Sequence, residues 1–134
     1  SKIFINHRKI KNYDIVFIIN YTKILKSNFL KKNTLNLVPH LSDLPKGKGF
    51  APVQWQILRK KNKINICLFE AAEKVDSGNI FEKNYFYLKG TELYDEIRYY
   101  ESKAIIKIIK IFLSKYPNVV SKKQAGNVPK STTF

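Results

Sequence analysis

The sequence has little cysteine and little glycine. Its 134 residues include one cysteine, five glycines and five prolines. A single cysteine excludes a disulfide framework and favours the cytoplasm, where thiols stay reduced. That residue, Cys67, lies in an apolar run over residues 66–69 and is interpreted as a small buried hydrophobic side chain rather than a nucleophile.

Long apolar runs are also absent. The longest runs, such as residues 15–19, are far too short to cross a bilayer. No apolar segment with a small-residue cleavage site follows Lys2, so no signal peptide is predicted. His7 and His40 have no companions at metal-ligand spacing, and the sequence therefore predicts no metal site.

Acidic residues are scarce, with 10 against 25 basic residues and a formal net charge of +15. Such an excess is a common feature of nucleic-acid-binding proteins. The basic residues are mostly lysines spread along the whole chain, whereas bidentate phosphate recognition favours arginine. We therefore favour a solvated basic surface. A basic face for tRNA or an anionic substrate is the alternative, and a nucleic-acid-binding module is a third hypothesis that requires the lysines to gather on one face.

Hydrophobic residues make up 44% of the chain, which is enough to bury the core of one domain. Strands are predicted over residues 14–20, 35–38, 64–71 and 80–88. Helices are predicted over residues 26–32 with Ser27 as a cap, over 52–60, and from a cap at Thr91 to Pro117. This alternation predicts an α/β fold with a mostly parallel sheet flanked by helices. We expect a domain over residues 1–120 and an irregular tail over 121–134.

Two polar motifs follow predicted strands. His40 comes two residues after the predicted strand over residues 35–38, and Asp76 lies in a glycine-containing turn over residues 75–78. A histidine and an aspartate at strand ends can form a proton-handling pair. Strand ends are also where open α/β sheets bind ligands. Taken singly, each residue is more typical of a structural histidine or a turn-forming aspartate.

The ordered set of motifs resembles the folate-dependent formyltransferase family, whose members transfer a formyl group from 10-formyltetrahydrofolate to an amine. The matching residues are His40-x-Ser42-x-Leu44-Pro45, Lys46-Gly47-Lys48-Gly49, Pro52, Trp55-Gln56-Ile57-Leu58 and Val75-Asp76-Ser77-Gly78. The resemblance extends from about Tyr13 to Arg98, and more weakly to Phe134. The continuous segment over residues 37–52, which contains the His40 motif, is most similar to bacterial sugar N-formyltransferases.

The resemblance implies a partial Rossmann-like formyltransferase fold and a catalytic role for two residues. His40 would lie beside the formyl oxygen, and Asp76 would orient and stabilise the imidazole. The family usually has asparagine two residues before the histidine, where this chain has Val38. Asn36 is the remaining candidate for the oxyanion donor, although it lies about 6.6 Å further along the same strand face.

The resemblance also implies binding residues. The segment 21–25 and the stretch before Asp76 resemble the parts that surround the pterin ring, and the lysines after Pro45 could approach an anionic substrate. The candidates are Tyr21, Lys23, Ile24, Leu25, Glu73 and Val75 for 10-formyltetrahydrofolate, and Lys46 and Lys48 for the substrate.

The favoured acceptor is the amine of a nucleotide-linked amino sugar that feeds polysaccharide biosynthesis. Methionyl-tRNA or ribonucleotide formyltransferase and a non-catalytic truncated formyltransferase-like protein are the alternatives. Relatives begin with a strand, a glycine-containing turn and a helix before the equivalent of Asp14, so we expect at least one βα unit to be missing. An uncovered sheet edge would allow a homodimer.

Overall fold

The computed structural model describes residues 2–21, 23–46, 52–58, 60, 62–74 and 76–124, without the side chains of Trp55 and Leu58. A short 3-10 helix, His7–Lys9, precedes the main elements. These are β1 (Ile15–Phe17), α1 (Ser27–Leu30), β2 (Leu35–His40), α2 (Pro52–Leu58), β3 (Lys63–Glu70), β4 (Ile80–Tyr87) and α3 (Tyr94–Lys115). Lys48 and Val75, both candidate binding residues, lie outside the described residues.

The four strands form one sheet in the order β1-β2-β3-β4. β1 pairs with β2 in parallel, whereas β2–β3 and β3–β4 are antiparallel. The α/β fold flanked by helices is therefore confirmed, but the expectation of a mostly parallel sheet was wrong. Between β3 and β4, the connection over residues 71–79 is too short for parallel pairing, which needs a crossover of roughly a dozen residues or more. β2 and β3 pair antiparallel although α2 lies between them in the chain.

Neither helix has its cap at the residue that the sequence predicted. Ser27 is the first residue of α1, and Lys26 occupies the cap position before it. α3 begins at Tyr94 rather than near Thr91, because the Glu92 carboxylate accepts hydrogen bonds from the backbone N–H groups before the helix and closes a separate turn there. The predicted end of the helix is confirmed, since α3 stops at Lys115 just before Tyr116-Pro117.

α3 covers one face of the sheet. Its buried residues Ile105, Ile108 and Phe112 pack on Leu37, Ile66 and Leu68 of the two central strands. The Phe112 ring contacts the Phe17 and Phe81 rings edge to face, at centroid distances of 6.2 and 5.6 Å. Because side chains alternate along a strand, Val38, Cys67 and Phe69 face the other side, where they pack with Leu44 and Ile80.

No helix in the described part of the chain combines the length and the hydropathy needed to cross a membrane.

Replacement of Phe112 tests the packing of α3. The side chain is fully buried, so Phe112→Ala should lower the free energy of unfolding by about 3–5 kcal/mol. Its neighbour Leu113 is 46% exposed, and Leu113→Ala should cost less than about 1 kcal/mol. Urea unfolding followed by circular dichroism measures both. Equal losses in the two variants would show that α3 does not pack through Phe112.

Candidate active site

His40 and Asp76 lie together. The His40 Nε2 and Asp76 Oδ2 atoms are 3.8 Å apart, and the two side chains are only 11% and 13% exposed. His40 is the last residue of β2 and pairs in register with Cys67 of β3. The edge-to-face contact of its ring with Phe69, at 6.1 Å, gives the pair an apolar wall.

The Asp76 backbone has an unusual conformation. Its φ of 53° lies in the left-handed region, which aspartate tolerates better than most side chains. The turn is closed from inside by Ser77, whose N–H and hydroxyl both donate to the Lys74 carbonyl, at 3.3 and 2.7 Å. Such conformations persist where surrounding contacts hold them, and they concentrate at functional sites.

Gly78 lets the chain return onto β3 after Asp76. A Cβ added to Gly78 would lie 1.6 Å from the Glu70 carbonyl oxygen, so no other residue fits without a shift of the backbone. The next residue, Asn79, accepts the Glu70 N–H at 2.8 Å and leads into β4. The close approach at Gly78 therefore closes the turn that presents Asp76 to His40.

The loop after His40 is anchored from β4. The Lys83 ammonium donates to the Asp43 carboxylate at 2.8 Å and to the Leu44 carbonyl at 3.2 Å. Ser42 donates its N–H to the His40 carbonyl, while its hydroxyl is buried without a hydrogen-bond partner in the described part of the chain. Lys46 is exposed at the end of this turn, where a charged substrate could reach it. Lys83 could not be identified from the sequence, because 40 residues separate it from Asp43.

Asn36 does not join this pair. It is 4% exposed, and its amide N–H donates to the Leu30 carbonyl at 2.9 Å. Its amide oxygen accepts from Asn33 at 3.4 Å. The two ends of the amide thus connect β2 to the end of α1 and to the turn that follows it, and we leave Asn36 out of the candidate catalytic set.

The segment that follows β1 contains four candidate folate-binding residues. The Tyr21 hydroxyl lies 2.6 Å from Nδ1 of His7 and is engaged within the protein. Leu25 and Tyr21 line a cavity of about 70 Å³, while Lys23 is exposed and Ile24 is 73% exposed. An exposed apolar side chain beside a loop suits one face of a flat ring such as a pteridine.

Glu73, in the stretch before Asp76, contacts the start of α1, which follows the segment 21–25. Its carboxylate accepts the Ser27 N–H at 3.2 Å, at the start of α1. The hydrogen bonds from the Ser27 side chain and backbone hold the pKa of the Glu73 carboxyl below its usual value. The carboxylate therefore acts as a helix cap, and residues 71–74 are held close to α1 and the loop before it. The residues present fit a folate bound between these segments.

Cys67 is confirmed as a buried hydrophobic residue. Burial raises the pKa of its thiol to about 12, which keeps it protonated and unreactive near neutral pH. Among the described residues, no three histidine, cysteine, aspartate or glutamate side chains gather as metal ligands.

A separate groove lies away from His40. Its volume is about 720 Å³, and it runs between α3 and β4, lined by Ile66, Phe86 and Ile111 among others. Ile66 and Cys67 are adjacent on β3, so their side chains point to opposite faces of the sheet. His40 is the register partner of Cys67 and lies on the Cys67 face. The groove is therefore separate from the His40–Asp76 pair.

The site can be compared with known proteins. No family model matches the chain. The methionyl-tRNA formyltransferase of Rickettsia massiliae is 31% identical over 123 residues, covering 87% of this chain and 39% of that protein. The structure of methionyl-tRNA formyltransferase from Clostridium thermocellum matches with a TM-score of 0.74 and 29% identity, over 90% of this chain and 50% of that one. WlaRD, a sugar 3N-formyl transferase solved in the presence of dTDP and 5-N-formyl-THF, matches with a TM-score of 0.65 and 25% identity, over 91% and 44%.

The chain belongs to the formyltransferase family. It spans half or less of the length of each of these three relatives.

Replacement of Gly78 tests the close approach that holds the Asp76 turn. Gly78→Ala should be strongly destabilising, by more than about 3 kcal/mol, because the new Cβ would overlap the Glu70 carbonyl. Gly90→Ala is the matched control. Gly90 has a φ of 97° but no atom nearer than 3.6 Å, so only the backbone cost of about 1 kcal/mol is expected. Thermal and urea unfolding compare the two; a Gly78 variant as stable as the control would refute the close approach.

The Glu73 cap predicts a pH dependence with a definite sign. Because the folded state lowers the pKa of Glu73, its contribution is present above the ordinary value of 4.5 and is lost as pH falls through the lower folded pKa. Glu73→Gln should therefore be less stable than wild type at pH 7, and the two should converge on acidification.

Glu101 supplies a control of opposite sign for this experiment. Burial raises the pKa of its carboxyl, so Glu101→Gln should be more stable than wild type at pH 7 and converge as pH falls. Urea midpoints between pH 3.5 and 7 measure both series. Parallel curves for wild type and Glu73→Gln would rule out the cap.

Proposed function

We propose that this chain provides the catalytic site of an enzyme that transfers a formyl group from 10-formyltetrahydrofolate to a primary amine. The observation that carries the proposal is the His40–Asp76 pair, held at 3.8 Å in a nearly buried position within a formyltransferase fold. Relatives named formyltransferases and a neighbour solved with 5-N-formyl-THF support the choice of donor.

The donor supplies an electrophilic formyl carbon, and the remaining tasks fall to the protein. His40 would donate a proton or hydrogen bond to the formyl oxygen, where negative charge develops as the amine attacks. Asp76 would stabilise the positive charge on the imidazole through its carboxylate, 3.8 Å from Nε2. The Phe69 wall limits water, which strengthens both interactions.

As the amine attacks, it must lose a proton, and the folate nitrogen must gain one when its bond to the formyl carbon breaks and tetrahydrofolate leaves. The Asp76 carboxylate lies 3.8 Å from the His40 Nε2, so the pair can pass a proton from the amine to the folate nitrogen directly or through water. In this scheme His40 and Asp76 are catalytic, and the amide that the family places two residues before the histidine has no replacement in Asn36.

The donor would bind between the two segments that Glu73 and Ser27 connect. We assign Tyr21, Lys23, Ile24, Leu25, Glu73 and Val75 to this region. Ile24 and Leu25 would offer apolar contact to the pteridine, and Glu73 would hold the second segment in place rather than touch the ligand. This arrangement is expected to bind a folate even without an acceptor.

Two acceptors remain candidates. A nucleotide-linked amino sugar is supported by the sugar 3N-formyl transferase neighbour, and the exposed Lys46, with Lys48, would meet its phosphates. Methionyl-tRNA is supported by the names of the Rickettsia and Clostridium proteins, the latter matching with higher identity and TM-score than the sugar enzyme. The net charge of +15 would favour either polyanion. A cytoplasmic location and a homodimer stay parts of this proposal.

Calorimetric titration with 5-formyltetrahydrofolate, a stable donor analogue, tests the proposal. Wild-type protein should bind saturably, and Asp76→Asn should weaken binding because the carboxylate beside His40 is lost. Asp95→Asn, an equivalent change in the exposed first turn of α3, should leave the affinity unchanged. A folded wild-type protein that binds no analogue would disprove the proposed donor.

Turnover distinguishes the acceptors. With 10-formyltetrahydrofolate as donor, formylation of methionyl-tRNA and of a dTDP-linked amino sugar should be compared. His40→Gln should lower the rate with the true acceptor on the order of a hundredfold or more. Folate binding without turnover on either acceptor would instead favour the non-catalytic formyltransferase-like protein.

A further inference from the structure

The residues after α3 return to the Asp76 turn and contact it through one side chain. The amide nitrogen of Gln124 donates to the backbone carbonyls of Asp76 and Gly78, at 2.6 and 2.9 Å. We propose that Gln124 is a positioning residue that holds Asp76 in place for the reaction at His40. This inference rests on the proposed function and deepens it.

The geometry fixes how the Gln124 amide is oriented. Carbonyl oxygens only accept hydrogen bonds, so the amide nitrogen, with its two hydrogens, must face both of them. The amide oxygen is then left buried without a hydrogen-bond partner among the described residues. A buried unpaired oxygen is unfavourable by itself. Gln124 therefore makes its two donated hydrogen bonds while its amide oxygen has no partner among the described residues.

The two carbonyls lie on either side of Ser77, so Gln124 fixes the turn at two points. The turn needs such a contact because Asp76 has a φ of 53°. From inside, the turn is held by the Lys74 carbonyl, which accepts from the Ser77 N–H and hydroxyl. The hydrogen bonds from Gln124 come from a segment 48 residues further along the chain than Asp76. Together they restrict the backbone that carries the carboxylate.

The approach of Gln124 is set by a short antiparallel bridge. Lys122 and Ile80 exchange two backbone hydrogen bonds, at 2.7 and 2.8 Å, where β4 begins. Beside them, the Asn79 amide lies 3.5 Å from the Ser121 hydroxyl. These backbone bonds do not depend on the Gln124 side chain, so its removal should leave the bridge in place and release only the turn.

Three single variants separate the hydrogen bonds from general packing. Gln124→Ala should weaken 5-formyltetrahydrofolate binding on the order of fivefold to tenfold, the usual effect of losing one or two buried hydrogen bonds. Gln124→Glu should be at least as weak at pH 7.5, because a carboxylate would face two carbonyl oxygens. Val120→Ala, on the same returning segment but 80% exposed, should bind like wild type.

A pH series tests whether donation is what matters. At pH 5 a protonated glutamate at position 124 can donate one hydrogen bond, so Gln124→Glu should recover part of its affinity relative to wild type at the same pH. Gln124→Ala has no such group and should not recover. A purely structural role of side-chain volume would give the two variants the same pH profile, which would overturn the proposal.

A double-mutant cycle with Asp76→Ala tests whether Gln124 acts through Asp76. If it does, Gln124→Ala should change the affinity less than about twofold once the carboxylate is gone. Additive losses in the double variant would refute the positioning role. Equal binding by wild type and Gln124→Ala would refute it as well, while leaving the proposed function intact.

Amide hydrogen exchange gives a readout that needs no ligand. Gln124→Ala should speed exchange over residues 73–79 and leave the central strands β2 and β3 protected. Unchanged exchange in the turn would overturn the inference. If wild type bound no folate analogue, the proposed function and the positioning role would both fail, and faster exchange in the variant would then identify a purely structural contact.

Discussion

The antiparallel pairing of β2 with β3 is the interaction on which the other features of this fold depend. It sets Leu37 opposite Glu70 and His40 opposite Cys67 at the centre of the sheet. Because side chains alternate, this register sends Leu37 towards α3 and His40 to the opposite face. A slip by one residue would exchange the faces, burying the imidazole under the helix and exposing core side chains. The same pairing therefore fixes the core and the site.

The two halves of the candidate pair reach each other by different means. His40 is placed by a regular strand, so its position follows from sheet register. Asp76 is placed by an irregular turn that depends on a left-handed backbone, on the absence of a side chain at Gly78 and on the capping of α1 by Glu73 nearby. Strand register tolerates many substitutions, whereas the turn relies on a few particular contacts. The carboxylate is therefore the more sensitive half of the pair.

Sequence reasoning succeeded where local pattern and motif order determine structure. It found the four strands and the three helices, and it named His40 and Asp76, which the structure brings together. Strand direction was missed because helices between strands suggest parallel pairing, while the short loop before β4 forces a hairpin. The environment of Asn36 could not be foreseen either, since its amide is engaged by the end of α1 only once the fold has formed. Gln124 lies in a segment whose composition indicated only an irregular tail, and nothing local connects it to Asp76.

Buried polar atoms without partners give independent support for the location of the site. The described residues contain two such side-chain atoms, the Ser42 hydroxyl and the Gln124 amide oxygen. Ser42 follows His40 by two residues, and Gln124 contacts the turn of Asp76. Folded proteins rarely leave such atoms unpaired, and stability alone gives no reason for either of them. Departures from local rules are expected where function, rather than stability, selects the residues. One departure follows His40 closely in the chain and the other is on the side chain that contacts the Asp76 turn, where the proposed chemistry needs polar groups held in fixed positions.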